Sequence, residues 1–409
     1  MCVVGLGYIG LPTAAVIAQT GARVLGIDVS PHVVETINAG GIHIEEANLD
    51  SLVHDVVEKG TLRAALAPEP SDVFVLAVPT PFTNGYAPDI SYVLAATRSI
   101  APALRKGCLV IVESTCPVGT TEAVRDELRA ARPDLSFPDS ADDEADVCIC
   151  YCPERVLPGK ILEELVSNDR SIGGISRACA ERAVAFYQTF VAGECIATEA
   201  RTAEMCKLVE NSFRDVNIAF ANELSIVCDT LKLDVWQVIR LANRHPRVNI
   251  LQPGPGVGGH CIAVDPWFIV NSDPENARLI RTAREVNDGK AHYSLARASA
   301  LADAHPDTAI ACLGLSFKPN IDDLRESPAL EIAVAMAKKY GNRIRVVEPH
   351  VDILPKGFDG TGATKVTLDQ ALAECGVLVV LVDHTEFKTV PADTRSGKAI
   401  YDTRGLWRD

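Results

Sequence analysis

The sequence predicts an α/β protein with two doubly wound parallel-sheet domains, joined by a long central helix and a small helical domain. Short β-type runs alternate with Ala-rich amphipathic segments in the first half of the chain. One long helical pattern follows, and β-type runs return after about residue 307. Such alternation is typical of βαβ units, whose parallel sheets are covered by helices on both faces. We therefore expect three domains, at 1–198, 199–300 and 301–409.

The elements of the two sheets follow from runs of apolar and β-branched residues. The strands predicted for the first sheet are CVVGLG, ARVLGID, DVFVLAV, CLVIVES and DVCICY, with helices such as LPTAAVIAQTGA and SYVLAATRSIAPALRK between them. The strands predicted for the second, smaller sheet are TAIACLGLSF, RIRVVE, GVLVVLVD and AIYD, with SPALEIAVAMAKKY and LDQALAEC as helices.

The central helix is predicted over 199–231, a stretch that contains neither Pro nor Gly. Apolar residues recur there at steps of three and four, which marks one face of a helix. They are Met205, Val209, Phe213, Val216, Phe220, Leu224 and Val227. These apolar residues are more than one domain needs to bury, so we expect the face to form a homodimer interface. A solitary interdomain helix is the alternative.

Composition excludes several classes of protein. The 409 residues include 39 Lys and Arg against 54 Asp and Glu, a net charge of −15, which argues against nucleic-acid binding. No apolar run approaches the ~20 residues that span a bilayer, and the N-terminus lacks a signal-peptide pattern. We therefore expect a cytoplasmic protein without membrane partners, whose thirteen cysteines are mostly reduced.

Three of those cysteines, Cys148, Cys150 and Cys152, alternate along one predicted strand and so share a face. Zinc sites favour two to four residues between paired cysteines, which this spacing does not offer. We expect packing in a buried strand and no bound metal, with a metal site as the alternative.

A dinucleotide fingerprint opens the chain, where Gly5-Leu6-Gly7-Tyr8-Ile9-Gly10 follows a strand and begins a helix in the Rossmann-like manner. Gly5 permits the tight turn, Gly7 lets a pyrophosphate approach the backbone, and Gly10 allows close packing of helix on strand. Asp28 ends the second strand, where a carboxylate binds the adenine ribose and repels a 2′-phosphate. NAD is therefore expected rather than NADP; a tight turn without a ligand is the alternative.

A candidate catalytic group combines the central helix with a Pro/Gly-rich loop. Lys207 and Asn211 are four residues apart and share a helix face, which on its own also fits a solvated polar surface. Cys261 follows two glycines and His260, and Asp265 comes four residues later. A nearby lysine favours a thiolate and stabilises an oxyanion, while a carboxylate orients water.

With these motifs the sequence resembles the UDP-glucose/GDP-mannose dehydrogenase family, NAD-dependent nucleotide-sugar 6-dehydrogenases that remove four electrons. The resemblance covers almost the whole chain. It is carried by GLGYIGLPTA, ESTCPVGTTE, CPERVLPGK, EMCKLVENSFRDVNIAFANEL, HPRVNILQPGPGVGGHCIAVDPWF and GLSFKPNIDDLRESPA. Within the family, CPERVLPG and GGHCIAVDPWF are most similar to the branch that oxidises UDP-N-acetyl-D-mannosamine to UDP-N-acetyl-D-mannosaminuronate, a precursor for polysaccharide biosynthesis.

The resemblance implies that Cys261 is the nucleophile. It would capture the C6 aldehyde as a thiohemiacetal, which is oxidised to a thioester and hydrolysed. A thiol suits this chemistry because it holds the aldehyde covalently while the cofactor is exchanged. Lys207 would serve proton transfer and oxyanion stabilisation, with Asn211 and Asp265 as its helpers.

The resemblance also implies the binding residues. Those for the UDP-sugar are Glu154, Arg155, Val156, Lys207, Asn211, Arg214, His245, Arg247, Gly258, Phe317 and Lys318. Those for NAD are Gly5, Gly7, Tyr8, Ile9, Gly10, Asp28, Thr80, Thr115, Thr121 and Arg325. Arg247 resembles a residue that the partner subunit contributes. A salt bridge at a helix entry is the alternative for Arg325.

Three positions depart from the UDP-glucose branch, namely Val33, Pro158 and Val264. The last two fall in the sugar pocket and disfavour glucose. The nearest alternative activity is UDP-N-acetyl-D-glucosamine 6-dehydrogenase. A catalytically silent dinucleotide-binding module and an ordinary two-electron hydroxyacid dehydrogenase are the others.

Overall fold

The computed structural model describes residues 1–83, 86–157, 159–259 and 261–408. Pro158 and His260, both named above, lie outside the described residues. The chain forms two compact units, Met1–Glu210 and Asn211–Asp409. The three-domain division stays a prediction.

The first unit is built on an eight-stranded sheet, and the fold class predicted from the sequence is confirmed. Its strands are β1 (Cys2–Val4), β2 (Val24–Ile27), β3 (Leu62–Ala65), β4 (Val73–Leu76), β5 (Cys108–Val112), β6 (Val147–Tyr151), β7 (Arg170–Gly174) and β8 (Cys195–Glu199). They lie in the order β3-β2-β1-β4-β5-β6-β7-β8, the doubly wound arrangement that places ligands at the carboxyl ends of the strands.

Helices cover both faces of this sheet. They are α1 (Gly10–Gln19), α2 (Pro31–Asn38), α3 (Leu49–Glu58), α4 (Ser91–Ile100), α5 (Thr120–Ala131), α6 (Ile161–Ser167), α7 (Arg177–Tyr187) and the start of α8 (Ala200–Leu231). Successive strand residues pack into opposite cores: Val3 joins the cluster with Leu11 of α1, while Val4 joins the one with Val93 of α4. Burial on both faces explains why the strands are almost uninterrupted apolar runs.

One end of the sheet differs from the parallel arrangement that we expected. β7 pairs antiparallel with β6, with Cys150 opposite Gly174, and β8 then runs parallel to β7. Neither β7 nor β8 was predicted. β7 contains two glycines, and Ile196 of the edge strand β8 is 47% exposed, so neither gives the apolar run of a buried strand.

The second unit holds the rest of α8 and a smaller sheet. Its further helices are α9 (Val235–Ala242), α10 (Asp265–Ser272), α11 (Arg278–Asp303), α12 (Pro328–Tyr340), α13 (Leu368–Glu374), α14 (Thr385–Lys388) and α15 (Ala392–Arg395). Its strands are β9 (Ala309–Leu313), β10 (Ile344–Val347), β11 (Thr364–Lys365), β12 (Cys375–Val380) and β13 (Ala399–Asp402). They pair in parallel in the order β11-β10-β9-β12-β13.

Helix α8 covers almost the whole span predicted for it, and four residues of its predicted apolar face are exposed in the single chain, as a dimer interface requires. Phe213 is 67% exposed and Phe220 57% exposed, although both are large and apolar. The buried side of the helix combines apolar residues, such as Ala203 and Leu208, with an unusual number of polar ones. It carries Glu204, Asn211, Asp215 and Asn222, each at most 8% exposed.

The three alternating cysteines pack as expected. Cys148 and Cys150 lie in β6 and Cys152 directly follows it; all three are buried free thiols within one apolar cluster. Burial raises the pKa of Cys152 to about 12, so this thiol stays protonated at neutral pH. No described helix combines the length and apolar character needed to cross a membrane.

We predict that Gly174→Ala destabilises the first unit. A Cβ atom at Gly174 would lie 2.4 Å from both Ala180 N and Ser176 O, so the backbone must shift, at a cost of about 1–3 kcal/mol. Gly289→Ala in α11 is the matched control, because its Cβ would meet nothing within 4 Å. Thermal unfolding should show a lower midpoint than wild type for Gly174→Ala. The midpoint of Gly289→Ala should equal or exceed that of wild type. Equal midpoints would contradict the packing at β7.

Candidate active site

The carboxyl end of β1 forms a cradle that fits a dinucleotide pyrophosphate. Gly5 has a φ of +91°, and a Cβ atom there would lie 2.6 Å from Ala77 O. A Cβ at Gly10 would lie 1.8 Å from Gly5 O, whereas one at Gly7 would meet nothing within 4 Å. The backbone is therefore closely packed beside an open position at Gly7. Among the described residues no side chain caps α1, and such a helix N-terminus suits an anion.

Asp28 stands at the end of β2, as the ribose position requires. One carboxylate oxygen accepts a hydrogen bond from Leu6 N at 3.1 Å and the other from Ser30 N at 2.9 Å. The side chain is half-buried. A carboxylate accepts about four hydrogen bonds, so two ribose hydroxyls can still bind. The charge also repels a 2′-phosphate, which favours NAD.

The loops after β4 and β5 are joined to each other beside this cradle. The Thr80 hydroxyl donates a hydrogen bond to Thr115 O, and Ser114 Oγ donates one to Val78 O at 2.6 Å. Both loops end strands at the ligand edge of the sheet. Thr80 and Thr115 are thus brought together, as the sequence analysis expects, while Tyr8 is 47% exposed.

Thr121 lies differently from the other residues assigned to NAD. It is fully buried, and its hydroxyl and backbone N–H both donate to Glu204, at 2.6 and 2.8 Å. Glu204 also accepts from Gly119 N at 2.6 Å, so this carboxylate occupies the N-terminus of α5. Burial raises the pKa of Glu204, against the effect of these hydrogen bonds. A contact between Thr121 and NAD remains a prediction.

The loop after β6 connects to the central helix through its backbone. Lys207 Nζ donates a hydrogen bond to Glu154 O at 2.9 Å, so the proposed catalytic amine is fixed to the predicted substrate loop. The Glu154 carboxylate accepts from Arg170 at 2.8 Å and from Arg155 N at 2.8 Å. Arg155 forms an ion pair with Glu210 at 2.7 Å. Val156 is half-buried and packs on the adjoining apolar cluster.

Glu113 lies in the buried interior behind these loops. Its carboxyl accepts a hydrogen bond from Tyr187 OH at 2.8 Å. Burial, together with the nearby charge of Glu154, raises the pKa of Glu113 to about 7. The Arg170 guanidinium lies 5.0 Å from the centroid of the Tyr187 ring. A buried carboxyl with a raised pKa thus lies behind the loop predicted to bind substrate.

In the second unit, three of the four predicted catalytic residues come together. Asn211 Nδ2 donates to Asp265 Oδ2 at 2.5 Å, and both side chains are buried. Asp265 N donates to Cys261 O at 2.9 Å, which ties the start of α10 to the residue that carries the thiol. The Cys261 residue is exposed. The thiol therefore combines access from solvent with a fixed backbone.

The glycine turn before Cys261 packs on Phe317. A Cβ at Gly258 would lie 2.8 Å from Phe317 Cβ, and one at Gly259 would lie 2.9 Å from the phenyl ring. Gly259 N also donates to Arg325 O at 3.1 Å. Only glycines allow this approach, which sequence reasoning had explained by access for substrate. Lys318, the next residue after Phe317, is half-buried.

The remaining predicted residues lie on the surface of the second unit. Arg325 forms a bidentate ion pair with Asp323, with a shortest distance of 2.6 Å, which is the local salt bridge weighed above. Arg214, His245 and Arg247 are exposed. The assignments of Arg325 to NAD and of the other three to the UDP-sugar stay predictions.

Two pairs of buried polar residues were not found from the sequence. They are Arg170 with Tyr187 in the first unit, and Glu348 with His384 in the second. The members of the second pair are 36 residues apart, yet His384 Nε2 lies 3.2 Å from Glu348 Oε2. One signal was present: Glu348 ends the second strand of its sheet, as Asp28 does in the first.

Models of the UDP-glucose/GDP-mannose dehydrogenase family match the chain in three parts. The NAD binding domain matches residues 1–191, the central domain 201–289 and the UDP binding domain 311–409. The chain belongs to this family, and it is an NAD-dependent nucleotide-sugar dehydrogenase. The resemblance drawn from the motifs is thereby confirmed.

Individual relatives are similar over nearly their full lengths. The chain is 57% identical to a UDP-N-acetyl-D-mannosamine dehydrogenase of Salmonella typhi, covering 99% of this chain and 98% of that one. It is also 57% identical to an NDP-N-acetyl-D-galactosaminuronic acid dehydrogenase of Ralstonia nicotianae, covering 99% and 95%. The solved structure of a UDP-D-ManNAc dehydrogenase from Pyrococcus horikoshii has a TM-score of 0.88 at 36% identity, covering 100% and 96%.

We predict that Glu113→Gln removes a pH-dependent cost of folding. The pKa of Glu113 is raised from 4.5 to about 7, so between these values the folded chain holds a proton that the unfolded chain has released. Stability therefore falls as pH rises through this window, by up to about 3 kcal/mol. The unfolding midpoint of Glu113→Gln relative to wild type should be higher at pH 8 than at pH 5.

The control for this prediction is Glu58→Gln, a change at an exposed carboxylate in α3. Its midpoint relative to wild type should differ little between the two pH values. If Glu113→Gln behaves in the same way, then Glu113 is not the source of the pH dependence.

Proposed function

We propose that the enzyme oxidises the C6 hydroxyl of UDP-N-acetyl-D-mannosamine to UDP-N-acetyl-D-mannosaminuronate, in two steps at Cys261. The observation that carries this proposal is the buried contact between Asn211 and Asp265, together with the bond from Asp265 N to Cys261 O. These contacts attach the thiol-bearing turn to helix α8 one turn after Lys207. A two-electron alcohol dehydrogenase needs no such thiol.

NAD, when bound, accepts a hydride in each oxidation. Between the two oxidations the Cys261 sulfur adds to the C6 aldehyde, and the aldehyde oxygen takes a proton to complete the thiohemiacetal. Oxidation of that adduct gives a thioester. Water then attacks the thioester carbonyl, the carbon–sulfur bond breaks, and the uronate leaves as the thiol is regenerated.

The surrounding residues suit the negative charges and the proton transfers of this reaction. Lys207 carries a positive charge that stabilises an alkoxide or a tetrahedral oxyanion, and its bond to Glu154 O fixes its position. Asp265, oriented by Asn211, is a carboxylate that can take a proton from the attacking water. Lys318 and the arginines assigned to the substrate suit a diphosphate.

The choice of sugar rests on similarity. Relatives at the same identity are named for mannosamine and for galactosaminuronic acid derivatives, which share an N-acetyl group. Pro158 and Val264, where the UDP-glucose branch has charged residues, support an N-acetylated ring over glucose. UDP-N-acetyl-D-glucosamine remains the nearest alternative from the sequence.

We predict two NADH per UDP-N-acetyl-D-mannosamine, measured by absorbance with limiting sugar and excess NAD. Parallel reactions with the N-acetylglucosamine, N-acetylgalactosamine and glucose nucleotides identify the sugar. Cys261→Ser should abolish uronate formation, because a serine hydroxyl is not ionised at neutral pH. The control is Cys206→Ser, at another exposed thiol, which should retain activity. One NADH per sugar, or uronate formed by Cys261→Ser, excludes the thioester route.

We also propose that the enzyme is a homodimer joined along the outer face of α8. This α8 stripe consists of Val209, Phe213, Phe220 and Val227, which are 48%, 67%, 57% and 46% exposed. Large apolar side chains that are exposed together on one helix face are stabilised when another surface covers them, so such a face marks an interaction site. A second copy supplies the same stripe by twofold symmetry. The assignment of Arg247 to the partner's site rests on the resemblance.

We predict that Phe213→Glu shifts the protein from dimer to monomer. A charge within the α8 stripe must be desolvated if the interface forms. Light scattering after size-exclusion chromatography measures the mass directly. Ile353→Glu is the control, because Ile353 is 83% exposed but lies far along the chain from α8. A wild-type monomer, or a dimer that survives Phe213→Glu, contradicts this interface.

A further inference from the structure

The two sheets share a local construction that their sequences barely suggest. The five strands of the second sheet follow the order found at β3-β2-β1-β4-β5 in the first. Gly5 and Gly314 follow the first strand of each sheet, and both have a φ of +91°. Each donates its N–H at 2.8 Å to the carbonyl that ends the next strand, Ile27 O or Val347 O. Glu348 is thus the positional counterpart of Asp28.

The carboxylates at this position have different surroundings. Asp28 is half-buried, whereas Glu348 is 1% exposed and is covered by His384, which is fully buried. Burial by itself raises the pKa of Glu348, but hydrogen bonds from His384 and from the backbone outweigh it and hold the pKa below its usual value. The imidazole therefore fills the place beside the carboxylate that Asp28 leaves open to a ribose.

The hydrogen bonds define the tautomer of the His384 imidazole. Asn320 N lies 3.0 Å from Nδ1, and because a backbone N–H only donates, Nδ1 must accept. The proton of the neutral ring is then on Nε2, which faces Glu348 at 3.2 Å and Ser316 Oγ at 3.4 Å. The His350 ring lies nearby, tilted by 42°, with the two ring centroids 4.9 Å apart.

Together the pair fixes both ends of one short loop. Glu348 accepts from Leu315 N at 2.7 Å and from Ser316 N at 3.2 Å, while His384 accepts from Asn320 N. Ser316 Oγ also donates to Lys318 O at 2.8 Å. The loop 315–320 carries Phe317 and Lys318, and Phe317 packs on the glycine turn that leads to Cys261.

We propose that His384 and Glu348 are positioning residues, which hold loop 315–320 in the form that binds the UDP-sugar and supports the turn before Cys261. This rests on the proposed function, which assigns Phe317 and Lys318 to the substrate. Neither side chain of the pair needs to touch substrate, because both act through the backbone of the loop.

A metal site is the competing interpretation of the same region. His350, His384 and Glu386 place possible ligand atoms within 4.8 Å of one another. Yet the Nδ1 lone pair of His384 accepts the Asn320 N–H, and its Nε2 carries the proton that faces Glu348. Binding an ion would break one of these bonds. The hydrogen bonds therefore favour a positioning role.

The test compares His384→Ala with His384→Asn, which keeps an acceptor near the place of Nδ1. His384→Ala leaves the Asn320 N–H and the Glu348 carboxylate without this partner, so KM for the UDP-sugar and Kd for UDP, by calorimetry, should rise about tenfold. KM for NAD should change less than twofold. His384→Asn should recover at least half of the loss on a logarithmic scale. His292→Ala, at an exposed histidine in α11, is the matched control.

Several outcomes overturn the proposal. If His384→Ala raises KM for NAD and KM for the sugar equally, the pair only stabilises the fold; if it changes neither, the pair has no role. If His384→Ala does not fold, His384→Phe takes its place, because it keeps an aromatic ring but has no acceptor for Asn320 N. Neither constant raised in that variant decides against the proposal, and KM for the sugar alone raised supports it. One equivalent of metal in the purified protein favours a metal site over the positioning role. Wild-type enzyme that does not bind UDP refutes the proposed function first, and this inference with it.

Discussion

The buried polar side of α8 is the constraint on which the candidate site depends. Glu204 holds the N-terminus of α5 in the first unit, and Asn211 holds Asp265 in the second. Asp215 accepts from Arg284 at 2.6 Å, and both are almost fully buried. Burying such groups is costly unless each has a partner, so their contacts are specific and fix the rotation of the helix. Within the first unit, the same helix carries Lys207, whose amine donates to Glu154 O in the loop after β6.

The length of α8 could be predicted from the sequence, and its exposed apolar residues agree with the expectation that a second copy covers this face. The interface itself stays a prediction. Periodic apolar residues mark one face of a helix, and this face carries more of them than one domain needs to bury, which is why the sequence predicts a second copy there. Here Phe213 and Phe220 are exposed, and the polar residues are inside. Periodicity reports that a face is apolar, not which molecule covers it. Polar residues that recur on the opposite side, such as Asp215 and Asn222, were the available signal.

Local motifs predicted more of the site than of the sheet edges. The spacing of Gly5, Gly10 and Asp28 depends on backbone geometry within one βαβ unit, and the structure has that geometry. β7 and β8 were missed because they are weakly apolar: β7 contains two glycines, and Ile196 of β8 is exposed, so neither gives the pattern of a buried strand. The pair of Glu348 and His384 was missed for a different reason, since 36 residues separate two groups that meet only after the sheet has formed.

The two sheets illustrate how one strand order serves different ligands. Each places a carboxylate at the end of its second strand, accepting the N–H of the residue after a glycine, as for Leu6 and Leu315. In the first sheet the carboxylate stays half-open, which suits a ribose diol. In the second sheet His384 covers it, so the same position becomes an internal support. Backbone order therefore determines where a ligand binds, while a single buried side chain determines whether that position binds a ligand or stabilises a loop.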